Sequence, residues 1–357
     1  IYPKLLENEA EIVPGVPFFE GRALDALCLI PGNFTLDHIM PLAAEAFRLP
    51  TLLWGIPTLQ AWGALVAVQQ TAVPFKELQL PYRFVTGRPE DPRVWERALP
   101  FLRAAGIQRR LRGARIGLMG WRAQGMSDAA FDELALREIF GVQLVNVGLT
   151  RYARTTQLVP EAEVAATWGE VRLGYRTDAL PDEVGRHGVR SYLAMRQLVS
   201  EEALDAVTME CFHDHLGTPC LGFSMFNDQG LAAPCENDAL AAIVMLAGQL
   251  LWGEPTFHAD IVEADPEADT AILHHCGNMP HRLAADDHPA LRPIRPNVGP
   301  GAFGPTIQTT MRSGAVTAVN LVGRRGSLRL ASLQGAAVSY ATDMPGSGAK
   351  VHFDAGL

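Results

Sequence analysis

Two carboxylates in one segment of the chain have the type and setting that catalysis needs. Glu236 precedes a long apolar run, and Asp260 follows 24 positions later in the string Phe257-His258-Ala259-Asp260. Carboxylates ligate hard divalent cations and can also accept and donate protons. If the elements that carry these two acids converge, the pair indicates a metal-dependent acid–base site.

A helix is predicted directly after the first acid. Ala239–Trp252 is apolar with few breaks, and Gly253 is a typical helix stop. Asn237 or Glu236 is the expected N-cap, and Asp238 suits the positive end of the helix dipole. The predicted helix therefore starts where the acidic residues cluster.

The second acid is expected on a returning strand. Phe257–Val262 reads as an apolar strand that runs back along the helix, which carries Asp260 toward Glu236. An acid in an apolar strand needs a partner or a metal ion. Taken singly, the two acids also suit plain roles, Glu236 as a helix cap and Asp260 as a surface residue.

This segment resembles the metal-site stretch of the L-fucose/L-arabinose isomerase family. The matching strings are Cys235-Glu236-Asn237-Asp238, Leu251-Trp252-Gly253-Glu254-Pro255 and Phe257-His258-Ala259-Asp260. The resemblance makes Glu236 and Asp260 the metal ligands and the acid/base pair. It places His275 where arabinose isomerases have a metal-ligating histidine. Mn²⁺ is the ion that it implies, with Mg²⁺ or another divalent ion as alternatives.

The resemblance also implies a reaction and an assembly. The expected enzyme is a cytoplasmic aldose–ketose isomerase of carbohydrate metabolism that acts on a free fucose- or arabinose-like sugar through a cis-enediol. A homo-oligomer is expected, a hexamer by resemblance, in which the loops 31–34 and 54–57 of a neighbouring copy close the site. The family's C-terminal metal histidine has no obvious equivalent. Either the tail is shortened, or His352 takes its place, or the set of metal ligands differs.

Three other interpretations stay open. A non-catalytic sugar-binding protein could use the same α/β units without a metal. The string Glu210-Cys211-Phe212-His213-Asp214-His215 has a His-x-His spacing that could bind zinc, although a second half at finger-like spacing is missing. Cys235 could act as a nucleophile, but the sequence designates no base for it.

Composition excludes several classes of partner. The net charge of the 357 residues is −9, which argues against nucleic-acid binding because that requires clustered Lys and Arg. Membrane spans need roughly 18–20 apolar residues in a row, which the sequence lacks. The five cysteines are irregularly spaced, which favours reduced thiols over a disulfide framework.

The pattern of elements predicts an α/β protein with three domains: an α/β domain at 1–107, an α/β domain at 108–254 and a smaller, mostly β domain at 255–357. The first two are expected to hold Rossmann-like parallel sheets, since strands such as Ala114–Gly120 alternate with helices such as Asp128–Phe140. The last is expected to be antiparallel and barrel-like, because turns recur between short runs such as Ala315–Val322.

Overall fold

The computed structural model describes residues 1–19, 21–57, 62–212, 215–294, 304–324 and 327–354. The chain forms two compact units, Ile1–Arg110 and Leu111–Leu357. The finer division into three domains, at 107 and 254, stays a prediction. Within the described residues, no helix is both long enough and apolar enough to cross a membrane.

The first unit contains a parallel three-stranded sheet with helices between its strands. The strand order is β1-β2-β3, and all five residues of β2 are buried. The strands are β1 (Leu27–Leu29), β2 (Thr51–Gly55) and β3 (Tyr82–Thr86). The helices are α1 (Ile12–Phe19), α2 (Ile39–Phe47), α3 (Ala64–Glu77) and α4 (Pro92–Leu111), whose last residue begins the second unit.

The second unit begins with another parallel three-stranded sheet, in the order β5-β4-β6. Its strands are β4 (Arg115–Met119), β5 (Gln143–Val147) and β6 (Ala206–Met209). The helices are α5 (Glu133–Phe140), α6 (Leu149–Leu158), α7 (Glu161–Gly174), α8 (Asp182–Glu201), α9 (Cys220–Asp228) and α10 (Ala239–Trp252). A large apolar core joins this sheet to α6–α9, with Met209, Leu198 and Phe223 fully buried.

A seven-stranded, mostly antiparallel sheet completes the second unit. Its strands are β7 (Asp260–Asp265), β8 (Thr270–His275), β9 (Ala290–Pro293), β10 (Pro305–Thr310), β11 (Gly314–Arg324), β12 (Ser327–Val338) and β13 (Ser347–Phe353). The sheet branches at β13, which pairs with β8, β12 and β10. β7 pairs only with β8 among the described strands.

The predicted fold class is confirmed: two parallel α/β sheets are followed by a mostly antiparallel β region. The predicted strand Ala114–Gly120 and helix Ala239–Trp252 are found as β4 and α10. The predicted helix Asp128–Phe140 is wrong in its first turn, where Ser127–Ala129 is a short 3₁₀ helix. The reason is Asp132, whose side chain accepts hydrogen bonds from the N–H groups of Leu134 and Ala135 and so starts α5 later.

Candidate active site

The carboxyl ends of the strands in the second sheet gather the chemically active residues. Residues 232–235 run parallel to β6, through bridges from Ala206 to Ala232 and from Met209 to Cys235. Glu236 therefore leaves the sheet at the same edge as Glu210, which follows β6. The Glu210 carboxylate accepts a 2.9 Å hydrogen bond from the N–H of Trp121, which follows β4. This edge is where parallel α/β sheets ordinarily bind ligands.

The turn that holds Glu236 has an unusual backbone. Glu236 and Asn237 have φ angles of 67° and 57°, in the left-handed region that favours glycine. Such residues cost of order 1 kcal/mol or more each and cluster at functional sites. Asp238 N–H donates to Cys235 O at 3.3 Å and closes the turn. Backbone strain at this turn therefore lowers the stability of the fold locally, while the turn holds the Glu236 carboxylate at the edge of the sheet.

The predicted N-cap of α10 is corrected by the structure. Asp238, rather than Asn237 or Glu236, caps the helix, and its Oδ1 accepts from Leu240 N at 2.8 Å and Ala241 N at 2.9 Å. A cap needs an extended backbone, which Asp238 has and the two left-handed residues before it lack. Glu236 is thereby left free of the capping role.

The structure brings Glu236 together with His275. The two lie on different elements, and His275 Nε2 is 3.9 Å from Glu236 Oε1. The imidazole is only 4% exposed, and its Nε2 has no hydrogen-bond partner. A buried nitrogen without a partner normally has a ligand, an ion or a water molecule beside it. The Glu236–His275 pair is the centre of the candidate site.

Electrostatics of the pair depend on burial and on neighbouring thiols and acids. Burial raises the pKa of Glu236, the charge of His275 lowers it, and the charges of Asp260, Cys276 and Asp128 raise it. Burial alone would lower the pKa of His275, but the charge and hydrogen bond of Cys276, with the charges of Glu236 and Asp260, raise it to about 10. The pKa values of both Glu236 and His275 are therefore raised, so each side chain keeps its proton to a higher pH than usual.

A second histidine supports the turn from the other side. His258 Nδ1 accepts the N–H of Cys235 at 3.2 Å, and its ring centroid lies 5.3 Å from that of His275. Burial, with the charge of His275, lowers the pKa of His258 to about 3. Since Nδ1 must be unprotonated to accept that N–H, the hydrogen bond and the lowered pKa agree. His258 is therefore neutral, although its Nε2 is 4.0 Å from Asp238 Oδ2.

Asp260 lies in a different environment from the one predicted. It opens β7, a strand that is exposed along its whole length, so the expected apolar strand Phe257–Val262 is wrong in its bounds and its surroundings. Asp260 is paired with His274 across the β7–β8 ladder. Its charge nevertheless acts on both Glu236 and His275. The close approach of the two carboxylates stays a prediction.

The site offers donors for a divalent ion, but only two stand side by side. A carboxylate oxygen and an unprotonated imidazole nitrogen suit Mn²⁺ or Mg²⁺. Glu236 and His275 are the two side chains that would provide them, and His275, whose pKa is raised to about 10, would have to give up a proton when an ion binds. Among the described residues, no group of three or more His, Cys, Asp or Glu side chains is arranged to hold a metal ion. Asn237 and His274, the sequence neighbours of Glu236 and His275, also have buried polar atoms without a hydrogen-bond partner, as does Asn278. The pair by itself therefore offers two possible ligands, and an ion held there would need its remaining ligands from other groups.

His352, the candidate substitute for the C-terminal metal ligand, lies far from His275. His352 pairs with Thr270 at one end of β8, whereas His275 is at the other end, five residues or about 17 Å along the strand. His352 therefore does not supply the missing ligand. His213, of the alternative zinc motif, lies outside the described residues.

Cys235 is fully buried, and hydrogen bonds with Cys211 and Cys276 and then burial raise its pKa, which disfavours a nucleophilic thiol.

Sequence reasoning missed three contributors to the site. His258 is part of the string that carries Asp260, and its position two residues earlier was a usable signal. Cys276 directly follows His275 and is 3.4 Å from its Nδ1. Asp128 acts on Glu236 from the 3₁₀ helix Ser127–Ala129, more than 100 positions away in sequence, and no local pattern could have indicated it.

Curated proteins related to this chain share a single description. The chain is 24% identical to the sulfoquinovose isomerase of Priestia aryabhattai over 98% of this chain and 80% of the relative. It is 28% identical to the sulfoquinovose isomerase of Clostridium sp. (strain MSTE9) over 88% of this chain and 74% of the relative. For the sulfoquinovose isomerase of Alkalicoccus urumqiensis the identity is 24%, over 82% and 68%. No protein-family model matches the chain.

These relatives confirm one expectation and correct another. The homologues are aldose–ketose isomerases, as the predicted enzyme class requires, which favours an enzyme over a sugar receptor. The resemblance to the L-fucose/L-arabinose isomerase family is wrong, because the distant homology is to sulfoquinovose isomerases. The resemblance rested on one short acidic segment, whereas the alignments run along most of the chain.

Proposed function

We propose that this protein interconverts the aldose and ketose forms of a free sugar, with sulfoquinovose or a close analogue as substrate. The observation that supports the site most is the Glu236–His275 contact of 3.9 Å at the carboxyl edge of the second sheet. The relatives support the substrate, since the alignment with one of them covers 98% of this chain.

The reaction needs a group that both takes and returns a proton. An aldose becomes a ketose when the C2 proton is removed, a proton moves between O2 and O1 of the enediol, and a proton is delivered to C1. Burial raises the pKa of Glu236, which brings this carboxyl closer to neutral pH and suits a group that must work in both directions. We assign the carbon proton transfer to Glu236, with Asp260 as the second carboxylate.

His275 is placed to act on the sugar oxygens. Its Nε2 has no partner in the protein and lies beside Glu236, within reach of a substrate that Glu236 also contacts. His258 holds the Cys235 backbone and so fixes the direction from which Glu236 approaches. The left-handed turn at Glu236 and Asn237 keeps that carboxylate clear of the N-terminus of α10.

A divalent ion remains part of the proposal, with Mn²⁺ as the first choice and Mg²⁺ or another ion as alternatives. Glu236, His275 and Asp260 are the residues that would hold it. When bound, it would supply Lewis-acid stabilisation of the negative charge that develops on the sugar oxygens. Assembly as a homo-oligomer, hexameric as first expected, also stays a prediction, which light scattering can test.

The test is direct. Purified protein is incubated in D₂O with sulfoquinovose, with and without added Mn²⁺, and ketose formation and deuterium incorporation at C1 and C2 are followed by NMR. D-glucose is the matched control, because it has a hydroxyl group where sulfoquinovose has a sulfonate. We expect ketose formation from sulfoquinovose and its loss on chelation with EDTA. If neither sugar reacts or exchanges deuterium, the proposal is wrong.

A further inference from the structure

Four of the five cysteines form a chain of thiols beside the candidate site; three of them are buried and Cys276 is partly exposed. Cys211 Sγ is 3.0 Å from Cys235 Sγ, and Cys220 Sγ is 4.0 Å from Cys276 Sγ. A hydrogen bond between Cys235 and Cys276 connects the two pairs. All of these cysteines are free thiols. The proposed isomerisation uses none of them.

The first pair is close enough to become a disulfide. A disulfide bond is about 2.0 Å long, so the two sulfur atoms of Cys211 and Cys235 need to approach by about 1 Å. The residues are anchored side by side, because Cys235 bridges to Met209 at the end of β6 and Cys211 follows two positions later. Cys220 and Cys276 are a full ångström further apart, so the first pair has the better geometry.

The first pair is also attached directly to the proposed catalytic turn. Cys235 precedes Glu236, its carbonyl accepts from Asp238, and its N–H donates to His258. Any shift of Cys235 toward Cys211 therefore moves both the turn that carries Glu236 and the histidine packed against His275. A misplacement of about 1 Å at a reacting group can cost about 10²-fold in rate.

We infer that Cys211 and Cys235 are a site of reversible oxidation, at which a peroxide forms a disulfide that switches the neighbouring active site off. Hydrogen peroxide first oxidises Cys211 to a sulfenic acid and releases one water molecule. The raised pKa of Cys235 disfavours its attack on a molecule in solution, but its sulfur lies 3.0 Å from that of Cys211, and this proximity compensates for the low reactivity. The sulfur of the second thiol then displaces the sulfenic hydroxyl group, which leaves as a second water with the proton of that thiol. The two thiols lose two electrons and two protons, and the O–O bond of the peroxide is reduced.

The primary experiment detects the bond itself. The full chain is treated with hydrogen peroxide, remaining thiols are blocked, and chymotryptic peptides are mapped by mass spectrometry without reduction. Phe212 and Phe223 separate Cys211, Cys220 and Cys235 into different peptides. We expect a linked Cys211–Cys235 peptide pair that dithiothreitol separates. A map in which these two cysteines stay reduced, or in which Cys220–Cys276 is the linked pair, overturns the inference.

Activity gives the second readout, and this part rests on the proposed function. Wild-type isomerase activity should fall by about 10²-fold on oxidation and return with dithiothreitol. Cys211→Ala should keep its activity under peroxide, whereas Cys220→Ala, the matched control from the other pair, should lose it as the wild type does. Equal, irreversible loss in wild type and Cys211→Ala contradicts the switch. If the disulfide forms but the reduced protein has no isomerase activity, the proposed function fails and the oxidation site stands.

Discussion

The two parallel sheets are built alike but end differently. In the first unit β1 and β2 are followed by Ile30-Pro31-Gly32 and by Ile56-Pro57, which are apolar or turn-forming. In the second unit β6 is followed by Glu210-Cys211, and the strand-like segment 232–235 is followed by Glu236. Both have a central strand paired in parallel on each side. A βαβ pattern gives each sheet a carboxyl edge, and of the strands compared only those of the second unit are followed directly by carboxylates, so the chemistry available at such an edge depends on the residues after each strand.

The largest expected effect comes from removing the carboxylate at the end of the second sheet. Glu236→Gln keeps the shape of the side chain but cannot carry a proton, so kcat should fall by about 10²–10⁴-fold. The matched control is Glu90→Gln, an exposed glutamate four residues after β3 of the first sheet, which should leave kcat unchanged. Equal losses of kcat in the two variants would contradict the assignment of the catalytic carboxylate to the second sheet.

Asp260→Asn tests the second carboxylate and should lower kcat by about 10²-fold, at the low end of the range for a lost acid or base. The loss is expected to be smaller than at Glu236 because Asp260 is exposed to water. Its charge raises the pKa of Glu236, so the variant should also move the acidic limb of the pH–rate profile to lower pH. An unchanged profile with full activity would show that Asp260 is only a surface residue.

His258 should make the stability of the second unit sensitive to acid. Its pKa is lowered in the folded state to about 3, so the unfolded chain binds the extra proton first as the pH falls. Above about pH 6.5 the His258 imidazole is neutral in both the folded and the unfolded state, and it does not make stability depend on pH. Below that pH the free energy of unfolding falls by up to about 1.4 kcal/mol per pH unit. Chemical denaturation of wild type and His258→Gln between pH 4 and 7 measures the difference. Parallel pH dependences would contradict the assignment of a neutral, buried imidazole.

The smallest effect is expected at the helix cap beside the catalytic turn. Asp238→Ala removes two hydrogen bonds to backbone N–H groups and should destabilise the protein by about 1 kcal/mol, whereas Asp238→Asn should cost little because Asn caps helices as well. Both variants should keep kcat within a few-fold. If activity survives Glu236→Gln but disappears in Asp238→Asn, then Asp238 rather than Glu236 carries the proton transfer.

Local patterns in the sequence were sufficient for the regular elements. The apolar run with its glycine stop predicted α10 with the observed ends, and the strand of the second sheet at 115–119 was predicted with an error of one residue at each end. These elements can be predicted because hydrophobic periodicity and helix stop signals involve only residues close together in the sequence. The choice of Glu236 as a functional acid came instead from its expected convergence with Asp260 and from the family resemblance, and its role stays a prediction.

No local pattern indicated the neighbours of Glu236: His275 was expected near it only through the family resemblance, and the contact itself is made by tertiary structure. His275 comes to lie beside Glu236 because β8 belongs to a sheet whose ladder with β13 runs Ser347 to His275, a pairing between distant parts of the chain. The left-handed turn at 236–237 shifted the cap to Asp238, and β7 left Asp260 exposed. Burial, strain and electrostatic coupling arise from long-range packing, so the sequence determined which residues could react, and the fold determined which of them meet.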